Sequence, residues 1–237
     1  MRDLAAILFD KDGTLIDFDR TWGPAAGAVM RTLAGSDAHA LHRIEAVSHF
    51  LPSEERFLPS SPLVAGSSAH YGPLWAEALG RPADAAFLGQ IDRLFSIEGM
   101  RSLSPIGHPA AVVARLHQAG MKIGIVTNDA EANARLQADA LGLLPFVTEI
   151  LGYDSGHGSK PDPGMVLAAA DRLGVAPRHI AVVGDSAHDL AAAHGAGARF
   201  ILVRTGPGDP QALYAEADLV LDSISDLPHR LIEAAPC

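Results

Sequence analysis

From residue 105 onward, short apolar runs alternate with helical patterns, and this rhythm constrains the fold of the 237-residue chain more than any other feature. The runs 121–126 (MKIGIV), 179–183 (HIAVV), 199–203 (RFILV) and 218–221 (DLVL) have the length and content of strands buried on both faces. Residues 147–151 form a weaker run, and 4–9 (LAAILF) a further clear one. Between them lie helical patterns. Residues 109–119 stop at Gly120, 130–141 follow Asp129 as N-cap and stop at Gly142, 163–173 stop at Gly174, and 186–194 stop at Gly195. Such alternation predicts an α/β fold with a parallel sheet covered by helices on both faces.

Residues 17–102 break the rhythm. Segments 24–33, 38–51, 71–79 and 83–95 all read as helices, no strand is expected among them, and 59–68 (PSSPLVAGSS) reads as a loop. The expected organisation is a core formed by 1–16 and 103–237, with an all-helical cap inserted at 17–102 on hinges near 17–21 and 102–107. The formal net charge of −10 argues against a nucleic-acid or anionic-membrane partner. The single cysteine, Cys237, has no partner for an intrachain disulfide, and no apolar stretch approaches the ~20 residues that cross a bilayer. The expected compartment is the cytoplasm.

In a doubly wound sheet ligands bind beyond the carboxyl ends of the strands. The first strand ends in Asp10-Lys11-Asp12-Gly13-Thr14-Leu15, and the second in Thr127-Asn128-Asp129. Gly158-Ser159-Lys160-Pro161-Asp162 follows the weak run, and Gly184-Asp185-Ser186-Ala187-His188-Asp189 follows the next strand. Asp10, Asp12, Asp185 and Asp189 against Lys160 leave three formal negative charges at one sheet edge. Carboxylates so close need compensation. Oxygen donors without histidine or cysteine suit a hard cation, Mg²⁺ beside phosphate being the usual choice. With the metal bound, the site becomes receptive to a phosphoryl group, whose equatorial oxygens Lys160 and Thr127 can meet.

These four stretches, in this order, resemble the motifs of the haloacid dehalogenase-like hydrolases, and among them the phosphoglycolate phosphatase group. The likeness implies a Rossmann-like core with a lid inserted after the first motif. It implies Asp10 as nucleophile and a metal held by Asp10, the main-chain carbonyl of Asp12, and Asp185, with Asp189 acting through the metal's waters. Thr127, Asn128 and Lys160 would bind phosphate. In-line displacement also needs a proton donor at the leaving oxygen. Gly13 lets the chain turn so that Asp12 can serve there.

The function expected is Mg²⁺-dependent hydrolysis of a small phosphorylated metabolite, phosphoglycolate first. The alternatives are a phosphosugar mutase and a non-catalytic interaction protein on the same fold. A dehalogenase has no use for Asp12, and phosphonate hydrolases of the family carry alanine there and a lid lysine, whereas 17–102 contains no lysine. His157 and His188 form no metal-ligand pattern. Arg20, Trp22, Arg56, Ser67, Ser68 and His70 are the lid residues that could meet substrate, with surface or packing roles favoured for each, and Phe18 and Trp22 read as packing residues.

Overall fold

The computed structural model describes residues 3–64 and 66–233, so Cys237 lies outside them. In chain order, β1 (Ala6–Phe9) leads to α1 (Phe18–Ala34), α2 (Ala38–Val47), β2 (Phe50–Leu51), β3 (Arg56–Phe57), α3 (Ser68–Leu79) and α4 (Ala85–Arg101). Then come α5 (Pro109–Gln118), β4 (Lys122–Val126), α6 (Glu131–Ala140), β5 (Glu149–Leu151) and α7 (Gly164–Leu173). The chain continues through β6 (Ile180–Gly184), α8 (Ala187–Ala196), β7 (Arg199–Val203) and β8 (Leu219–Leu221). It divides into two compact units, one of Met1–Asp17 with Pro105–Cys237, the other of Phe18–Ser104.

The first unit is a six-stranded sheet in the order β5-β4-β1-β6-β7-β8, with every pairing parallel. Side chains alternate across a strand, and here both sides are core. Ala6 and Leu8 of β1 face a layer with Met165, Val166 and Ala169 of α7 and Leu190 and Ala193 of α8. Ile7 and Phe9 face the opposite layer, with Val112, Val113 and Leu116 of α5 and Ala134 and Ala138 of α6. This double burial explains why the strands read as unbroken apolar runs. The α/β class with helices on both faces is thus observed. After β4 and β5 run out to one edge, α7 returns the chain to β6 beside β1. The strand order reverses there, and the loops after β1, β4 and β6 surround the crevice that results.

Two helix ends differ from the sequence reading. Helix α8 continues past Gly195 and closes at Gly197, whose φ of 74° places it in the left-handed region. Gly195 lies against the Pro163 ring, so its lack of a side chain serves packing and not termination. Helix α6 is capped by Ala130, not Asp129. The Asp129 carboxylate has other partners, described below.

The second unit is helical except for one correction: β2 and β3 pair antiparallel as a two-residue hairpin. Phe50 and Phe57 pair across it with ring centroids 5.2 Å apart, and both enter the unit's core. Trp75 is wholly buried, 5.1 Å from the Tyr71 ring and 5.8 Å from Phe95. Its indole N–H donates to Ser48 Oγ at 2.8 Å, Ser48 Oγ donates to Ile44 O at 2.6 Å, and Ser61 Oγ donates to Ser48 O at 2.7 Å. No described helix of the protein is long and apolar enough to cross a membrane.

Candidate active site

The site is built on strand tips. Asp10 extends β1 by one ladder bond, its N–H donating to Val183 O at 2.8 Å. The chain then folds tightly, with Leu15 and Ile16 donating to Lys11 O at 2.9 and 3.0 Å, and Gly13 N–H to Ile16 O at 2.8 Å. Gly13 sits at φ 82°, and a β-carbon there would lie 2.7 Å from Asp185 Cγ. Glycine is therefore required twice over, for its backbone conformation and for the close approach. Thr205, after β7, donates its hydroxyl to Gly13 O at 2.6 Å. Its neighbour Gly206 lies so near Asp185 that a β-carbon would stand 1.7 Å from Oδ2. Thr205 and Gly206 thus wall in the two motifs. They carry no motif of their own in the sequence.

Lys160 is the centre of the charge arrangement. Its ammonium donates to Asp10 Oδ1 at 2.5 Å and to Asp189 Oδ1 at 2.6 Å, and all three side chains are buried. The other oxygen of Asp189 accepts from Ser186 N–H at 3.1 Å and Ser186 Oγ at 2.5 Å, closing a capping box at the start of α8. Asp189 therefore serves both the helix start and the lysine.

Burial pushes the Asp10 carboxyl up to about 7, against the pull of the Lys160 ammonium and with the help of the Asp189 and Asp12 charges. Burial, then the charges of Asp10 and Asp189, hold the Asp185 carboxyl well above the usual range. For Lys160, burial disfavours the charge, but Asp10 and Asp189 outweigh it and the group is raised. Asp10, Asp185 and Asp189 each offer an oxygen, and these lie within 4.8 Å of one another. An all-oxygen set that resists full ionisation without further positive charge fits a hard divalent cation.

Asn128 and Thr127 come to the same edge from β4. Thr127 Oγ1 accepts from Asp129 N–H at 3.1 Å, so its own proton remains available to an acceptor. Asn128 grips the lysine loop at both ends of its amide, Nδ2 donating to Lys160 O at 2.9 Å and Oδ1 accepting from Lys160 N–H at 2.8 Å. Its side chain thereby holds Lys160 in place.

Lys11 was not singled out by sequence reasoning, yet only 2% of it is exposed. Its ammonium lies 2.8 Å from Asp12 Oδ2 and 3.0 Å from Asp129 Oδ2, and donates to Gln137 Oε1 at 2.6 Å. Burial disfavours its charge, while Asp12 and Asp129 raise it on balance. Asp129 also accepts from Ala130 N–H at 2.8 Å and from Asn133 Nδ2 at 2.5 Å. The visible signal was a lysine lodged between two aspartates on the edge of a buried strand. Counting five carboxylates and two ammonium groups still leaves three formal negative charges.

Other candidates have ordinary settings. His157 Nε2 lies 3.2 Å from Arg172, and His188 is half-buried on α8. In the second unit, Arg20 and His70 are exposed, Ser68 is buried, and Ser67 precedes α3 without a side-chain cap bond. Arg56 pairs with Glu54 at 2.7 Å, Trp22 stands edge-on to Phe95 with centroids 6.0 Å apart, and Phe18 is core.

Residues 4–197 match the haloacid dehalogenase-like hydrolase family. A phosphoglycolate phosphatase of Rhodospirillum rubrum is 29% identical over 222 residues, which span 94% of this chain and 88% of that protein. Two solved structures share the fold. CbbY from Rhodobacter sphaeroides, in complex with phosphate, has a TM-score of 0.69 at 21% identity, covering 94% of this chain and 96% of that one. A HAD family hydrolase from Deinococcus radiodurans, with bound phosphate and sodium, has a TM-score of 0.66 at 24% identity, covering 99% and 97%. With the motif order, the sheet topology and a match over most of its length in agreement, this chain is a member of the haloacid dehalogenase-like hydrolases.

Proposed function

We propose that this enzyme, a phosphatase of its family, hydrolyses a small phosphorylated metabolite through an aspartyl-phosphate on Asp10, with Mg²⁺ as its metal and phosphoglycolate the leading substrate. The observation that carries the reading is the buried Asp10–Lys160–Asp189 arrangement beside Asp185. It supports the reading because a carboxylate able to attack phosphorus, an ammonium suited to phosphoryl oxygens and an oxygen-donor set converge there. The name of the Rhodospirillum rubrum relative supports the substrate choice.

Asp10, Asp185 and the main-chain carbonyl of Asp12 would hold the metal, Asp189 acting through its waters. Bound there, Mg²⁺ would offset the carboxylate charge and that of the phosphoryl oxygens. Lys160 and the Thr127 hydroxyl bind those oxygens and orient phosphorus toward Asp10. An Asp10 oxygen forms a bond to phosphorus while the ester P–O bond breaks. The leaving oxygen keeps that electron pair and takes a proton from Asp12. Water then attacks phosphorus, giving a proton to Asp12, and the bond to Asp10 breaks to release inorganic phosphate and the free carboxylate. A lid role for residues 17–102 belongs to this reading.

The test is kcat/KM for a panel including phosphoglycolate, hexose phosphates and p-nitrophenyl phosphate, with Mg²⁺ and with chelator. Asp10→Asn should lower turnover by at least about 10³-fold for every ester, as expected when a covalent route is lost. Activity equal to wild type in that variant would sink the mechanism. Phosphoglycolate ranking with unrelated esters would sink only the substrate. A mutase would return the phosphoryl group to a sugar and release little inorganic phosphate.

A further inference from the structure

Lys11 follows the nucleophile directly, and its side chain runs into the protein toward α6. Burying an ammonium costs desolvation that its ion pairs seldom more than repay, although removing the lysine alone would leave its acidic partners uncompensated. The stability of the ion-pair set as a whole is therefore a weak reason for the residue. An ammonium has three donors, and the Asp12 carboxylate, Asp129 and Gln137 are among the groups that face it. Gln137 is wholly buried and its Nε2 has no partner among the described residues. What that position supplies is an oxygen for Lys11. Asp129 is fixed in turn by Ala130 N–H and Asn133. Two of these anchors thus belong to α6 and the loop before it. Asp12 is the one carboxylate of the group that the proposed reaction uses to move protons, and its side chain is 22% exposed.

We propose that Lys11 is a positioning residue, braced on Asp129 and Gln137, that holds the Asp12 carboxylate where it meets the leaving oxygen. This rests on Asp12 being the acid and base of the proposed reaction. The ammonium meets both Asp12 oxygens, Oδ1 at 3.0 Å and Oδ2 at 2.8 Å, so that a short side chain on a glycine-flanked turn does not have to search for its place in each turnover.

The leaving group tells positioning apart from general structural support. An alkyl phosphate needs a proton on its departing oxygen, whereas p-nitrophenolate departs readily without one. In the Mg²⁺-loaded enzyme, Lys11→Met should lower kcat/KM for an alkyl phosphate about 30-fold or more, and for p-nitrophenyl phosphate about threefold or less, because general acid catalysis contributes only to the first. Equal losses for the two esters, or no loss for either, overturn the proposal. Asp12→Asn measured in parallel separates the two readings. If it discriminates between the esters and Lys11→Met does not, the lysine proposal fails alone. If Asp12→Asn does not discriminate, the role of Asp12 fails and that of Lys11 with it. Should Lys11→Met not fold, Gln137→Leu removes one brace and should show the same order of esters at about three- to tenfold. Equal losses there overturn the proposal as well.

Discussion

The two units bury polar groups by opposite rules. In the second unit Trp75, Ser48 and Ser61 form a neutral chain of hydrogen bonds inside an aromatic core, each donor meeting an acceptor. In the first, carboxylates and two ammonium groups crowd the tips of β1 and β4 and the start of α8. Neutral satisfied polar groups favour one packing of a core at little cost. Buried charges cost desolvation and leave carboxyls far from their ordinary behaviour, which a chain tolerates where the chemistry needs it. The difference fits a structural role for one interior and the proposed chemistry for the other.

Removing the counter-group in each unit sharpens the contrast. In metal-free protein at pH 8, Lys160→Met should cost about 3 kcal/mol of stability by denaturant titration, since Asp10 and Asp189 lose their shared cation. The loss should shrink at pH 5.5, where the Asp10 carboxyl takes up a proton, and activity should fall about 10²-fold or more with the phosphoryl-binding cation gone. A loss that does not change with pH would break the comparison. Ser48→Ala should cost less, about 1–3 kcal/mol, because it leaves the Trp75 N–H without its acceptor. That cost should be the same at both pH values and should spare kcat.

A smaller effect lies in the pH dependence itself. The Asp10 carboxyl titrates near 7 when folded, above its ordinary value of about 4 in an unfolded chain. Between those values the folded state binds the extra proton, so the group's contribution to stability declines as pH rises through that window. The Tm of metal-free wild type relative to Asp10→Asn should therefore fall from pH 5 to pH 7.5 and level off above. A flat difference would mean that Asp10 is better compensated than its surroundings indicate. Mg²⁺ should reduce the decline by binding the folded state.

Much of this was written in the sequence because each strand tip carries its chemistry within a few residues. Asp10, Thr127 and Asp185 directly follow apolar runs whose length fixes where a strand ends, and Lys160 lies in the loop between β5 and α7. What escaped was of two kinds. The hairpin at Phe50–Leu51 and Arg56–Phe57 has two residues per strand, too few for any alternation, and turns at His49 and Glu55 with positive φ that neither residue type announces. The Lys11–Asp129–Gln137 brace joins residues 126 positions apart, and only the pairing of β1 with β4 brings them together. Asp129 read locally as a helix cap because aspartate before a helix usually is one. Its burial beside Lys11 gave it a stronger partner.

Gly13 and Gly206 press on Asp185 from two sides, with no room for a methyl group at either position. A descendant of this chain could fall silent without losing a single aspartate. One alanine at 206 would displace the carboxylate while every residue of the four motifs stayed in the alignment, and one at 13 would do so with every aspartate kept. Pseudoenzymes of this architecture are thus to be sought by what has been added beside the acids, as much as by which acids are missing.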